Sequence, residues 1–348
     1  MPQHFKLLHL VRSLSRRRKI YLVALVVLFL CILFTLLWIR FNPKNLQSNF
    51  PANSAETPRF LYALYGDHKD VQGTITNTLS EPFKRPMAVV VAPDGRIFVA
   101  DSGRSRIEVF GADGKRQLVI GEGSLKYPVA LAYAGNKLYV ADPTLMKVAV
   151  FDNHGKELKP LLDKVIAKPR IGDSAGNIVR PSAIQSGPNN LFYITDVGNH
   201  SVWLVDAGGQ FLMRIASQGI DDSYLEYPGG VWVGKNGDVY VADSNNGRVQ
   251  IYNKYGLFLT KIDGTFGKFG HLALPRGIAV LQNEQIIVVD TLLHRVRAFD
   301  AVGNELWSIG GMGSGNGLFY FPNSLCLDAA GKIYVADREN NRIEVFGY

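Results

Sequence analysis

Six aspartates, Asp101, Asp142, Asp196, Asp243, Asp290 and Asp337, recur along this chain, each closing a short apolar run. Five residues later comes a base in five of the copies (Arg106, Lys147, Arg248, Arg295 and Arg342) and Ser201 in the third. Six carboxylates in register could hold a cation. Their repetition favours architecture instead, because carboxylates removed from water are usually paired, and an Asp-to-Arg loop this short can tie strand ends within one unit. Asp101, Asp142, Asp243, Asp290 and Asp337 are therefore expected to be structural. Asp196, with no base five residues on, is the member with a claim to ligand binding.

Other chemistry is sparse. Of the seven histidines, His4 and His9 lie near the N-terminus, and His68, His154 and His271 occupy dissimilar positions in the repeat. The sequence has no HExxH spacing and no GxSxG elbow. The glycine-rich stretch 310–317 (GGMGSGNG) lacks the GK[ST] ending of a phosphate loop and reads as a turn. Cys31 and Cys326 both sit in apolar runs, and no disulfide is expected between them. No catalytic residue, metal site or cofactor is expected. Candidate ligand-binding residues cluster instead at the prolines that open the repeats: Tyr127, Tyr227 and Phe321 just before them, with Tyr320, and Arg276 just after one. Aromatic and Arg side chains are favoured recognition anchors. An aromatic beside Pro can equally plug the gap between neighbouring units.

The elements that must position these residues follow from the repeat. Pro86, Pro128, Pro181, Pro228, Pro275 and Pro322 open six copies spaced by 42, 53, 47, 47 and 47 residues. In the fourth copy, strands are predicted over 231–233, 239–242, 249–252 and 258–262, separated by turns with Gly, Asn and Asp. Four strands per copy and six copies predict an all-β, six-bladed propeller. The last copy holds only three strands, and an extra apolar strand, FLYALY, precedes the first copy. Pairing the two would close the ring and remove an exposed sheet edge.

The segments GRIFVADSGRSRIEVF (95–110), GDVYVADSNNGRVQIY (237–252) and GKIYVADRENNRIEVF (331–346) resemble NHL repeats. The resemblance covers about residues 59–348 and implies a six-bladed propeller in which His200 and His294 are scaffold. The amidating lyases with similar repeats hold zinc on pore-facing histidines, some directly after a blade-opening Pro. Here those positions are Met87, Val129, Ser182, Gly229, Arg276 and Asn323, so the zinc triad is missing. RNA-binding NHL proteins are also similar, but the charge argues otherwise. Eight of the 38 Lys and Arg fall in residues 1–55, which hold no acid, leaving 30 bases against 30 acids in the repeats. A neutral domain has no electrostatic footprint for nucleic acid.

Residues 20–39, from Ile20 to Ile39, carry no charge and have Tyr21 and Trp38 at their ends. At about 1.5 Å per residue they span roughly 30 Å, the thickness of a bilayer's hydrocarbon core. The run exceeds a usual signal-peptide core, so a single transmembrane anchor is expected. Arg16, Arg17, Arg18 and Lys19 before it predict a cytoplasmic N-terminus and an exported domain. The expected organisation is a basic stub (1–19), a membrane helix (20–39), a tether (40–58) and the propeller (59–348). The function expected is recognition of a protein or cell-envelope ligand through the loop-rich end; the alternative is a lyase or hydrolase site in the central funnel.

Overall fold

Alternating apolar residues bounded by Gly, Asn and Asp turns build short twisted strands, each apolar on both faces and needing cover on both. A computed structural model describes residues 56–66, 69–70, 81–163, 178, 180–265 and 268–348. The predicted span 20–39 and nearly all of the tether lie outside them. Among the described residues no helix is long and apolar enough to cross a membrane.

Six antiparallel sheets form six blades. Blade 1 comprises Pro86–Val91, Ile97–Asp101, Arg106–Phe110 and Arg116–Ile120. Blade 3 runs Pro181–Ser186, Phe192–Asp196, Ser201–Val205 and Phe211–Ile215. Blade 4 is Pro228–Val233, Val239–Asp243, Arg248–Tyr252 and Phe258–Ile262, and blade 5 Pro275–Val280, Ile286–Asp290, Arg295–Phe299 and Glu305–Gly310. The opening strands begin at the proline itself, earlier than predicted. Pro228 pairs with Asp243 across an irregularity in register that precedes Val231. Proline is tolerated there because it is the first residue of an edge strand and no ladder bond is asked of its nitrogen.

Blade 2 departs from the four-strand expectation. It has Ala130–Ala134, Lys137–Asp142 and Lys147–Asp152, followed by single bridges Phe151↔Glu157 and Val148↔Leu162. Pro160 sits between those bridges, where its missing N–H interrupts a ladder. Blade 6 (Pro322–Leu327, Ile333–Asp337, Arg342–Gly347) takes its fourth strand from Arg59–Leu64. That strand runs antiparallel to the last one, with Arg59 opposite Gly347 and Leu64 opposite Ile343. The predicted latch is present, and a short fifth strand, Lys69–Asp70, lies outside it.

The core is divided among the blade boundaries. Phe98, Ile107 and Val109 of blade 1 meet Leu138, Val140 and Phe151 of blade 2. Their alternates Ile97, Val99 and Phe110 meet Tyr334, Ile343 and Val345 of blade 6. Blades 2 and 3, 3 and 4, 4 and 5, and 5 and 6 share further clusters of the same kind. Every boundary of the ring is therefore filled, and burial between blades stabilises the closed circle.

Candidate functional site

Strand direction alternates within each blade, so the loops from second to third strand and the connections between blades emerge at one end of the ring. The aspartates bind these two loop sets together. All six are fully buried, and each accepts a backbone N–H from the connection leading into its own blade. The donors are Lys84 to Asp101 (2.6 Å), Lys126 to Asp142 (2.7 Å), Arg180 to Asp196 (2.8 Å), Glu226 to Asp243 (2.6 Å), Ala273 to Asp290 (3.1 Å) and Tyr320 to Asp337 (2.7 Å).

The Asp-to-Arg pairing is less regular than the spacing suggests. Arg248 Nε donates to Asp243 at 2.8 Å and Arg342 Nε to Asp337 at 2.9 Å. In blade 1, Arg104 lies closer to Asp101 (3.1 Å) than Arg106 does (4.0 Å). In blade 5, Arg297 replaces Arg295 as the partner of Asp290, at 3.4 Å; Arg295 instead lies over the Phe269 ring, 3.9 Å from its centre. Lys147 turns away to Glu157, at 2.6 Å. Asp196 receives the N–H groups of Arg180 and Gly198 and the Asn199 amide, at 2.8, 3.0 and 2.7 Å. Asp196 is not part of the channel wall.

Burial sets the electrostatics of this layer. It raises the Asp101 carboxyl to about 6 and pushes Asp337 up as well, against the hydrogen bonds and cations that favour the charged forms. Neither carboxylate faces the channel.

The channel holds a cavity of about 730 Å³ bounded by the innermost strands of all six blades. The residues directly after the six opening prolines, Met87, Val129, Ser182, Gly229, Arg276 and Asn323, all line it. Of the candidates, Tyr127, Tyr227 and Arg276 are brought together on this wall from three different blade openings. Phe321 is not; its ring packs edge-on against His294, 4.6 Å between centres. Arg180, Asn323, Tyr133 and Trp232 also line the cavity. Sequence reasoning passed over them, although Arg180 and Asn323 flank Pro181 and Pro322 as Tyr227 and Arg276 flank theirs.

Close backbone approach seats Arg276. A side chain at Gly230 would strike the Arg276 carbonyl oxygen, and one at Gly277 would lie 2.7 Å from the Leu325 nitrogen of blade 6. Only glycine lets the inner strands of blades 4, 5 and 6 approach this closely. The Arg276 guanidinium donates from Nη1 to Asn323 Oδ1 at 3.2 Å. Burial first, and then the charge of Arg338, weakens its hold on its proton.

Among the described residues the cavity wall contains two guanidinium groups and no Asp, Glu, His or Lys. Cys326 borders it, but burial pushes its thiol far above the usual range, away from the nucleophilic thiolate. Among the described residues no three His, Cys, Asp or Glu side chains gather as metal ligands.

This ring of six sheets around a channel is a β-propeller. Residues 83–110, 225–252 and 319–346 match the NHL repeat, and the chain is a six-bladed propeller that contains NHL repeats. No curated protein matches it. Among solved structures it is similar to virginiamycin B lyase from Staphylococcus aureus, at 14% identity and TM-score 0.54, covering 78% of this chain and 97% of that one. A nidogen/laminin complex is similar at 18% identity and TM-score 0.55, covering 72% and 93%. An auxiliary nutrient binding protein from Bacteroides thetaiotaomicron gives 14% identity and TM-score 0.60, covering 84% and 77%. At such identities the likeness establishes the fold alone.

Proposed function

We propose that this protein is a recognition module, held at a membrane by residues 20–39 with its propeller outside the cytoplasm, and that it docks a protein partner on its loop-rich end. The distribution of exposed apolar side chains carries the reading. Thirteen large hydrophobic residues are exposed among those described. Eight of them, Met146, Ile220, Tyr224, Tyr227, Leu292, Met312, Leu318 and Tyr320, lie on the loops of that one end. Tyr255 and Leu257 are on the opposite end, Leu259 and Leu306 on outer strands, and Tyr348 at the C-terminus. Apolar exposure concentrated on one face is a mark of interaction surfaces.

The rival reading, a lyase or hydrolase site in the funnel, has less support. Among the described residues the wall offers no carboxylate, imidazole or amine for proton transfer, and its thiol is held neutral. The similar structures include both a lyase and a nutrient binding protein, so the fold does not decide between classes.

Two measurements test the proposal in cells. A photo-crosslinking residue at Tyr224 or Tyr320 should trap a defined protein, while the same residue at Tyr255 traps none. Equal capture from both ends removes the reading. A cysteine at Tyr255 should react with a membrane-impermeant maleimide in intact cells; labelling only after lysis reverses the orientation.

A further inference from the structure

Buried guanidinium groups in this protein come with carboxylates. Arg106 has Glu108 at 2.7 Å, Arg248 has Asp243 at 2.8 Å, Arg297 has Glu305 at 3.1 Å and Arg342 has Asp337 at 2.9 Å. The half-buried Arg276 differs. It makes no ion pair among the described residues, and its one side-chain hydrogen bond, from Nη1, goes to a neutral amide. That amide is itself fixed, since Asn323 Nδ2 donates to the Met87 carbonyl at 2.8 Å. The Nε atom of Arg276 is buried without any partner. A buried donor left unsatisfied carries the full cost of its desolvation, greater still for a charged group.

The surroundings deepen the imbalance. Arg180 lines the same cavity, and Arg338 is near enough for its charge to act on Arg276. Arg338 has its own counter-ion in Glu339, at 3.0 Å. Positive charge therefore converges on a wall whose described residues contribute no anion. With Nη1 committed to Asn323 and Nε shut away from solvent, Nη2 is the guanidinium nitrogen left to meet a ligand. A guanidinium N–H makes a short, charge-assisted hydrogen bond to a carboxylate oxygen. Deeper in the channel the wall mixes apolar Leu131, Ile184, Val231, Ile278 and Leu325 with polar Gln185 and Ser324. A cavity of about 730 Å³ falls within the usual range for small-molecule sites, roughly 300–1,000 Å³.

We propose that the channel mouth binds the carboxylate of a small organic acid on Nη2 of Arg276, with the apolar body of that acid lying along the channel. This site is separate from docking on the exposed loops and stands or falls without it.

Calorimetry on the full chain in lipid nanodiscs tests it, with phenylacetate as the probe and phenylacetamide and inorganic phosphate as controls. Phenylacetate should bind, its neutral amide should not, and phosphate should bind more weakly because it leaves the apolar wall uncovered. Arg276→Gln should weaken phenylacetate at least tenfold, and Arg276→Lys, which keeps the charge but loses the planar guanidinium held by Asn323, should fall between. Modification of the unaltered protein by phenylglyoxal, read by mass spectrometry, needs no variant. Phenylacetate should protect Arg276 and leave the exposed Arg59 reactive. Absence of binding, equal binding of acid and amide, phosphate as tight as phenylacetate, wild-type affinity in folded Arg276→Gln, or no protection of Arg276 would each overturn the site.

Discussion

The backbone N–H of Tyr227 donates to Nδ1 of His200, 3.1 Å away, joining a blade 3 loop to the residue that precedes the opening proline of blade 4. The same bond recurs from Phe321 to His294 Nδ1 at 3.0 Å and from Arg85 to Asn341 Oδ1 at 2.8 Å. Donor and acceptor residues alike are left-handed, with φ between 50° and 57°. Two imidazoles and one amide thus do the same work: a side-chain acceptor fixes the turn into the next blade.

An imidazole accepts at Nδ1 only while that nitrogen carries no proton. Burial lowers the proton affinity of His294 below the usual 6.5. The unfolded chain then takes up a proton that the folded chain resists, so stability is intact above pH 6.5 and is lost as pH falls below it. His294→Asn, copying Asn341, should keep the bond and flatten this part of the profile. His294→Ala should cost about 1–2 kcal/mol at neutral pH. Urea unfolding between pH 5 and 8 checks both, and an unchanged profile in His294→Asn would assign the acid sensitivity to another group.

Glu344 predicts the opposite slope. Its carboxyl is buried in the last blade, and burial pushes it up to about 8 despite Arg342 at 3.0 Å. The folded state keeps a proton that the unfolded chain releases near the usual 4.5. Its contribution is therefore greatest below that value and declines as pH rises towards 8. Glu344→Gln should remove the decline, measured in the same unfolding series.

The ring aspartates should differ in cost. Asp243→Asn takes the 2.8 Å carboxylate from the buried Arg248 and leaves it the half-exposed Asp222 at 3.2 Å, so the cost should approach the roughly 3–5 kcal/mol of breaking a buried pair from below. At Asp142 the bonds come from the backbone N–H groups of Lys126, Tyr127, Thr144 and Leu145. Asp142→Asn should cost about 1–2 kcal/mol, on the scale of a hydrogen bond or two. Equal losses in calorimetric melting would show that the cation contributes nothing.

Ring closure makes the latch strand a determinant of the whole domain. Ala63 and Leu64 are fully buried, and Leu64→Ala should cost about 2–5 kcal/mol. Deleting residues 59–66 should abolish the single cooperative unfolding transition. Retention of that transition at the wild-type temperature would show that the ring does not need its latch.

The architecture was legible because a blade is local. Strand alternation, turn residues and the Asp that ends each second strand all lie within one copy, and six copies in phase leave few alternatives. The latch was legible from a count, three strands at one end and one at the other. The loss of a regular fourth strand in blade 2 escaped, because it turns on Pro160 interrupting the ladder between the bridges at Glu157 and Leu162. The partner of each Asp escaped too: Arg295 and Arg297 lie two positions apart, and register and neighbouring rings choose between them. The channel mouth belonged wholly to the tertiary structure. Arg180, Arg276 and Asn323 sit beside prolines of three different copies, and only closure of the ring brings them onto one wall. The sequence determined that each opening proline is flanked by a residue able to recognise something. Ring closure decided that an arginine there stands beside an amide, without the carboxylate that its buried counterparts possess.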